Sequence, residues 1–140
     1  MIETRESNSA YWALRIAFGL IPLLAGLDKF THFLTDWTQY LNPAVLRIVP
    51  VTANTFMQIA GVIEIIVGLG ILFGATRVFS YIAMLWLLGI AANLISLGRF
   101  YDVAVRDIGL AVGAFTLARL TEARESVVIV SETDEYRRAA

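Results

Sequence analysis

Four apolar stretches dominate this chain, and polar residues separate them. They cover residues 10–27, 51–73, 78–97 and 101–120. Each is close to the length of about 20 residues that a helix needs to cross the hydrocarbon core of a bilayer. Two short links and one long link join them, which predicts antiparallel neighbours. The pattern therefore predicts an all-α fold, an integral membrane antiparallel four-helix bundle within residues 1–120.

The long link, residues 28–50, mixes aromatic with charged side chains and contains Pro43 and Pro50. Its aromatic members are Phe30, Phe33, Trp37 and Tyr40, and its ionisable members include Asp28, Lys29, His32 and Asp36. Aromatic and charged side chains occur together at headgroup depth. We therefore expect an interfacial segment between the first and second spans, with Trp37 and Tyr40 as anchors.

Each apolar stretch carries a row of small or polar residues at helical spacing. The rows are Arg15, Gly19, Pro22, Gly26 and Lys29; Asn54, Gln58, Gly61, Glu64 and Gly68; Ile82, Trp86, Gly89, Asn93 and Ser96; and Asp102, Arg106, Gly109, Gly113 and Thr116, with Asp107 beside the last row. Small residues allow close helix approach in lipid, and polar residues there face other helices or water. The rows are therefore predicted to face the interior of the bundle.

Composition agrees with a membrane protein and excludes several functions. The chain is 58% hydrophobic and 16% charged, with a formal net charge of −1, which gives no basis for nucleic-acid binding. It has no cysteine, so disulfides, cysteine-bound clusters and covalent haem attachment within the chain are excluded. One histidine cannot form a histidine-rich metal site, and no metal site is predicted. The first span lacks a cleavage pattern and is expected to stay in the membrane.

The predicted topology places both termini on the same side of the membrane. Lys and Arg on that side are Arg5, Arg15, Arg77, Arg119, Arg124, Arg137 and Arg138, against Lys29, Arg47, Arg99 and Arg106 on the other. This imbalance favours cytoplasmic termini in the cell membrane. Residues 121–140 form a polar cytoplasmic tail whose short apolar run, 127–130, is read as loosely ordered, with a strand against a partner as the alternative.

Glu64 lies well inside the second apolar stretch. A charge at that depth costs about 2.5–3.5 kcal/mol on insertion scales unless it is protonated, paired or hydrated. Most other polar residues fall in the outer halves of the spans, which predicts a polar pocket that opens outward. The candidates for a ligand or proton site are Glu64, Arg106, Asp107, Asn93, Lys29, Arg15 and Gln58.

Structural interpretations of the same residues stay open. Glu64 could simply pair with Arg15, Arg106 or an amide of the third span. Lys29 and Arg15 could extend toward the two interfaces, and Asn93 could join helices without binding a ligand.

The chain resembles the DoxX family of small four-span membrane proteins over about residues 11–120. The resemblance lies in Arg15-x3-Gly19-x6-Gly26-x2-Lys29-Phe30, followed by Gly61-x2-Glu64-x3-Gly68 and by Gly74. It implies that Arg15, Lys29 and Glu64 match recurrent polar positions of the family. It also implies a membrane subunit of an oxidoreductase that delivers electrons to quinone, as in thiosulfate:quinone oxidoreductase, although the lack of cysteine argues against a thiol relay here.

Three functions follow as hypotheses. The first is a membrane or accessory subunit of a quinone-linked oxidoreductase complex, with quinone or lipid as the ligand. The second is a non-catalytic assembly subunit that docks other membrane subunits or a second copy of itself. The third is a small transporter, which is less favoured because no inverted repeat is evident.

Overall fold

The computed structural model describes residues 5–139, with side chains as far as residue 138. Its elements are α1 (Arg5–Thr31), a 3₁₀ helix (Trp37–Tyr40), α2 (Val45–Ile48), α3 (Ala53–Phe73), α4 (Thr76–Leu97) and α5 (Tyr101–Ala139). The described residues contain no strand. The predicted all-α fold is therefore confirmed.

Within residues 5–139, three helices are long and apolar enough to cross a membrane, namely α1, α3 and α4. The apolar part of α5 begins with three charged residues, Asp102, Arg106 and Asp107, which interrupt its hydropathy. The three long apolar helices confirm a membrane fold. The crossing of the membrane by α5 remains a prediction.

The four long helices pack antiparallel, as their contacts show. Along the α1–α3 pair, Gly26 faces Gly61 and Gly19 faces Leu72. Along the α4–α5 pair, Tyr81 donates a hydrogen bond to Glu122 and Arg77 pairs with Glu125. In each pair the numbering rises in one helix as it falls in the other. We call the end that holds residues 32–52 and the turn at Gly98 the loop end, and the opposite end, with the turn at Gly74, the terminal end.

Glycine sets the distance between α1 and α3. A Cβ atom added to Gly26 would lie 2.5 Å from the carbonyl oxygen of Gly61, and one added to Gly68 would lie 2.6 Å from that of Gly19. Both distances are too short for any side chain larger than hydrogen. The predicted inward rows of the first two spans are thus largely correct, since Gly19, Gly26, Gly61 and Gly68 are all buried. Asn54 is the exception, because it is exposed at the first turn of α3.

The predicted inward row of the fourth span is wrong for most of its members. Asp102, Arg106, Gly109 and Thr116 are exposed, and a Cβ atom added to Gly109 would meet nothing within 4 Å. The buried face of α5 instead carries Ala104, Asp107, Ala111, Ala114, Leu117 and Ala118. Alanine rather than glycine forms this contact with α4. Gly113 is the exception, because it packs against Phe18 of α1.

The row predicted for the third span is also displaced. Ile82, Gly89 and Ser96 are exposed, while Trp86 and Asn93 are half-buried. The buried positions of α4 are Thr76, Ser80, Ala83, Ala91 and Leu94. The face that packs against the other helices therefore carries small side chains and Leu94, and the predicted row lies at its edge.

The segment after residue 120 is helical and continues α5 to Ala139. At 1.5 Å per residue, the 39 residues of α5 extend about 58 Å, roughly twice the hydrocarbon thickness. Residues 125–138 are exposed. The expectation of a loosely ordered or strand-forming tail is therefore replaced by an extended helix.

Candidate functional site

A buried ion pair joins α1 to α3. Lys29 Nζ donates a hydrogen bond of 2.6 Å to Glu64 Oε2. The exposed fractions of the two side chains are only 5% and 7%. Glu64 lies about 16 Å along α3 from its first residue, near the middle of the helix. The charge that the sequence places deep in the second span is thus neutralised by a direct partner.

The glycine contact makes this pair possible. Lys29 follows Gly26 by one turn of α1, and Glu64 follows Gly61 by one turn of α3. A Cβ atom added to Gly61 would lie 3.1 Å from the Lys29 Cβ, so the lysine stem runs directly over that glycine. Close backbone approach lets a long side chain reach inward to a carboxylate instead of outward to the interface.

Two tryptophans complete the shell around the pair. Trp86 Nε1 of α4 donates to Glu64 Oε1 at 3.2 Å. The ring of Trp37 lies under the ammonium group, with Lys29 Nζ 3.8 Å from the ring centroid. An aromatic face attracts a cation by about 0.5–2 kcal/mol, with the larger values where water is excluded. Each charge of the pair therefore has a second partner.

Asp28 holds Trp37 in place. Its carboxylate is buried and accepts hydrogen bonds from Trp37 Nε1 at 2.8 Å, from the Thr31 hydroxyl at 3.0 Å, and from the backbone N–H groups of Phe33 and Leu34 at 2.9 and 3.0 Å. These donors compensate the burial of a charge. Asp28 thus ties the start of the interfacial segment to the end of α1.

Sequence reasoning missed Asp28, Trp37 and Trp86 as members of this site. The sequence pattern predicts Trp37 as an interface anchor and presents Trp86 only as one position in the row of the third span. The available signal was chemical: an indole supplies both an N–H donor and a cation-binding face, and both tryptophans share segments with polar residues. No spacing rule links residue 37 to residue 29 or residue 86 to residue 64.

A second acidic residue of the segment is accessible. Asp36 caps the 3₁₀ helix by accepting hydrogen bonds from the hydroxyl and the backbone N–H of Thr38. These bonds, the hydroxyl bond first, lower the pKa of Asp36 below its ordinary value of 3.8.

Asn93 pins the interfacial segment to α4. Its amide nitrogen donates to the carbonyl oxygen of Tyr40 at 2.6 Å, and its amide oxygen accepts from the backbone N–H of Asn42 at 3.0 Å. The rings of Tyr40 and Phe100 also pack with their centroids 4.7 Å apart. Asn93 therefore contacts the segment that covers the site and not the ion pair itself.

The remaining candidates lie apart from Glu64. Arg106 pairs with its neighbour Asp107 at 2.9 Å, and the Arg106 side chain is 63% exposed while Asp107 is buried. Within the described part of the chain, neither has a hydrogen bond or ion pair to Glu64. Gln58 is half-buried in α3, one turn before Gly61.

Arg15 lies at the terminal end, far from the ion pair along α3. Its Nε donates to the carbonyl oxygen of Ile71 at 3.0 Å, and its Nη2 donates to that of Leu72 at 2.9 Å. Carbonyl groups in the last turn of a helix lack partners within the helix, and a cation there also favours the helix dipole. Arg15 therefore caps α3.

An open apolar groove runs beside the loop end of α1. It has a volume of about 480 Å³ and is lined by Leu24, Leu27, Asp28, Thr31, Phe33 and Leu34. Asp28 contributes to both the groove and the shell around the ion pair. The groove can receive an alkyl or isoprenoid chain from the bilayer next to a polar cluster.

Comparison with known proteins points to one family. The family model DoxX matches residues 10–98, more than half of the chain, which include most of α1, the interfacial segment, α3 and α4. Searches of curated proteins and of solved structures found no match.

Proposed function

The chain belongs to the DoxX family of membrane proteins, and from this premise we propose that it is a membrane subunit or accessory subunit of a quinone-linked oxidoreductase complex. The observation that carries the proposal is the buried Lys29–Glu64 pair with its two tryptophans. Ionisable residues inside a membrane are costly, and they commonly mark ligand sites or proton relays.

The pair offers the two kinds of contact that a quinone headgroup uses. The ammonium group of Lys29 is a hydrogen-bond donor for a quinone carbonyl oxygen, and Glu64 is an acceptor for a quinol hydroxyl. Reduction of a quinone to a quinol takes two electrons and two protons, and both side chains can exchange protons. The apolar groove beside Asp28 suits the hydrocarbon tail of such a molecule.

The electrons come from another subunit in this proposal. The chain contains no cysteine, so it cannot hold a cysteine-bound iron–sulfur cluster or a thiol relay by itself. We therefore assign it the binding of the quinone and the handling of a proton, while a partner subunit supplies the redox group.

The test uses the tryptophans themselves as reporters. The starting protein carries Trp12→Phe, a substitution at the terminal end, so that fluorescence comes from Trp37 and Trp86. Titration with decylubiquinone in nanodiscs should give saturable quenching. Glu64→Gln should weaken it roughly tenfold, because it removes the charged partner that holds Lys29, the donor to the quinone carbonyl oxygen.

The matched control for that test is Glu125→Gln, which removes an exposed carboxylate paired with Arg77. It should leave quenching unchanged. Quenching that rises linearly without saturation, or equal affinity in the Glu64→Gln and Glu125→Gln proteins, contradicts a quinone site at the pair.

The proposed orientation places the loop end outside the cell and both termini in the cytoplasm, with α5 as the fourth span. The excess of arginine at the terminal end supports it. Because the chain lacks cysteine, single cysteines at Thr38 and Ser131 can be labelled cleanly. A membrane-impermeant maleimide should label the first variant in intact cells and the second only after lysis; the reverse result refutes the orientation.

A second candidate function, assembly of a membrane complex, is favoured by the exposed end of α5. Val127, Val128, Ile129 and Val130 are exposed on a helix that continues well past the apolar stretch. Deletion of residues 126–140 should then release a stoichiometric partner during purification in mild detergent. Retention of the partner by the shortened chain argues against this function.

A further inference from the structure

A basic cleft opens at the terminal end, at the opposite end of the bundle from the loop segment that covers the ion pair. Its volume is about 290 Å³, and its polar lining comes from Tyr11, Arg15, Thr76, Thr121, Arg124 and Glu125. One water occupies about 30 Å³ in the liquid, so the cleft can hold a phosphate group together with part of its glycerol. It is formed by α1, α4, α5 and the turn after α3.

Two arginines flank one tyrosine in this cleft. The guanidinium carbon of Arg124 lies 4.2 Å from the centroid of the Tyr11 ring, and that of Arg15 lies 6.0 Å from it. Arg15 is held by two carbonyl oxygens of α3, and its Nη1 donates to the Tyr11 hydroxyl at 3.3 Å. The backbone of α3 therefore positions the charge of Arg15, and the ring of Tyr11 positions that of Arg124.

Among the described residues that line the cleft, the one acidic side chain, that of Glu125, is already engaged. Glu125 accepts a hydrogen bond of 3.0 Å from Arg77, outside the cleft lining. With Arg15 and Arg124 as the basic residues of the lining, the cleft keeps an excess of positive charge. Such an excess favours an anion.

The start of α4 also borders the cleft, beside the carbonyl end of α3 that Arg15 caps. Ala75 and Thr76 line the cleft, and Ala75, the residue before the helix, provides no side-chain cap. The N-terminal end of a helix carries a partial positive charge and presents backbone N–H groups to an anion. The hydroxyl of Thr76 is directed back to the carbonyl oxygen of Ile71.

The level of the cleft identifies the source of the anion. It lies where α3 ends and α4 begins, at the edge of the two apolar spans, and Trp12 is exposed beside Tyr11. Tryptophan and tyrosine concentrate at headgroup level, where lipid phosphates lie. Basic clefts between spanning helices on the cytoplasmic side bind anionic headgroups.

We propose that this cleft binds the phosphate group of an anionic phospholipid, with Arg124 and Arg15 as its cationic contacts. The lipid would join α1, α4 and α5 at the terminal end. This assignment is independent of quinone binding at Lys29 and Glu64.

The test is lipid retention by the full chain, measured by native mass spectrometry from detergent containing equal amounts of phosphatidylglycerol and phosphatidylcholine. The wild-type chain should retain phosphatidylglycerol preferentially. Arg124→Gln should reduce that preference roughly tenfold, the effect of losing one charged contact. Arg138→Gln, the same charge change on an exposed part of α5, should leave the preference unchanged.

Arg124→Lys separates binding from folding, because it keeps the charge and loses only the planar fork. It should retain an intermediate preference and the wild-type melting temperature. Equal preference in wild type and Arg124→Gln overturns the proposal, as does an equal loss in Arg138→Gln. Displacement of phosphatidylglycerol by millimolar inorganic phosphate overturns the lipid as the natural ligand and identifies a site for the free anion.

Discussion

The α1–α3 pair and the α4–α5 pair of this protein pack in different ways. In the α1–α3 pair, glycines bring the two backbones into contact, and that contact surrounds a buried ion pair. In the α4–α5 pair, alanines fill the interface, and the charged Arg106 and Asp102 remain outside it. A polar row thus marks the interior only where glycine permits a charged side chain to reach a partner.

The difference has an energetic reason. A buried ion pair recovers its desolvation cost only with good geometry and additional hydrogen bonds. Lys29 and Glu64 meet directly, Trp86 donates an additional hydrogen bond to Glu64, and the ring of Trp37 faces the ammonium group of Lys29. Asp107 of α5 has only its neighbour Arg106 as partner among the described residues, and that arginine reaches it from the exposed side.

The largest effect should come from breaking the ion pair. Lys29→Met leaves Glu64 buried without its charged partner, and removal of one member of a buried pair costs about 3–5 kcal/mol. Thermal unfolding of the purified chain in detergent should show the loss, and adding Glu64→Leu should recover most of it.

The control for this change is Arg77→Met, which breaks the exposed pair with Glu125, a change expected to cost about 0–1 kcal/mol. Equal destabilisation by Lys29→Met and Arg77→Met would show that burial does not distinguish the Lys29–Glu64 pair from the Arg77–Glu125 pair.

Glycine substitution should separate the two interfaces next. Gly61→Ala places a methyl group 2.7 Å from the carbonyl oxygen of Gly26, and overpacking of this kind costs about 1–3 kcal/mol. Gly109→Ala meets nothing within 4 Å and should be neutral or stabilising by up to about 1 kcal/mol, because alanine favours helix over glycine. Melting temperatures that fall equally in both proteins would contradict the glycine-specific contact.

A smaller effect is expected where the interfacial segment joins the two pairs. Asn93→Ala removes two hydrogen bonds to that segment, at about 1 kcal/mol each. Limited proteolysis within residues 32–50 should become faster. Ser96→Ala removes one exposed hydrogen bond to the segment, from Asn42, and one within α4, to the carbonyl oxygen of Asn93, and should change the rate less. The opposite order would mean that Asn93 does not hold the segment.

The smallest effect concerns Asp36, which is exposed. Because its pKa is lowered in the folded chain, the cap is complete above pH 3.8 and is lost as the pH falls below that value through the folded pKa. The amide resonance of Thr38 should titrate with a midpoint below 3.8. Asp36→Asn keeps an acceptor without a titration and should abolish the transition; a midpoint at or above 3.8 would exclude the cap.

The sequence by itself determined the all-α membrane fold, the inward rows of the first two spans and the need of Glu64 for a partner. These follow from local quantities, namely apolar length, helical spacing and the cost of an unpaired charge in lipid. The sequence also indicated Lys29 as a candidate for the site. Extension of its side chain toward the membrane interface was the competing interpretation.

Only the tertiary structure decided which partner Glu64 takes and which faces of α4 and α5 are buried. Lys29 is 35 positions from Glu64, and Trp86 is 22 positions away, so their contacts depend on how closely the helices approach. The buried faces of α4 and α5 depend on whether their glycine rows or their alanine rows meet in the interface. Both kinds of row have helical spacing, so the sequence alone does not choose between them. Helical periodicity states which residues share a face, whereas packing against neighbouring helices selects the face that is buried.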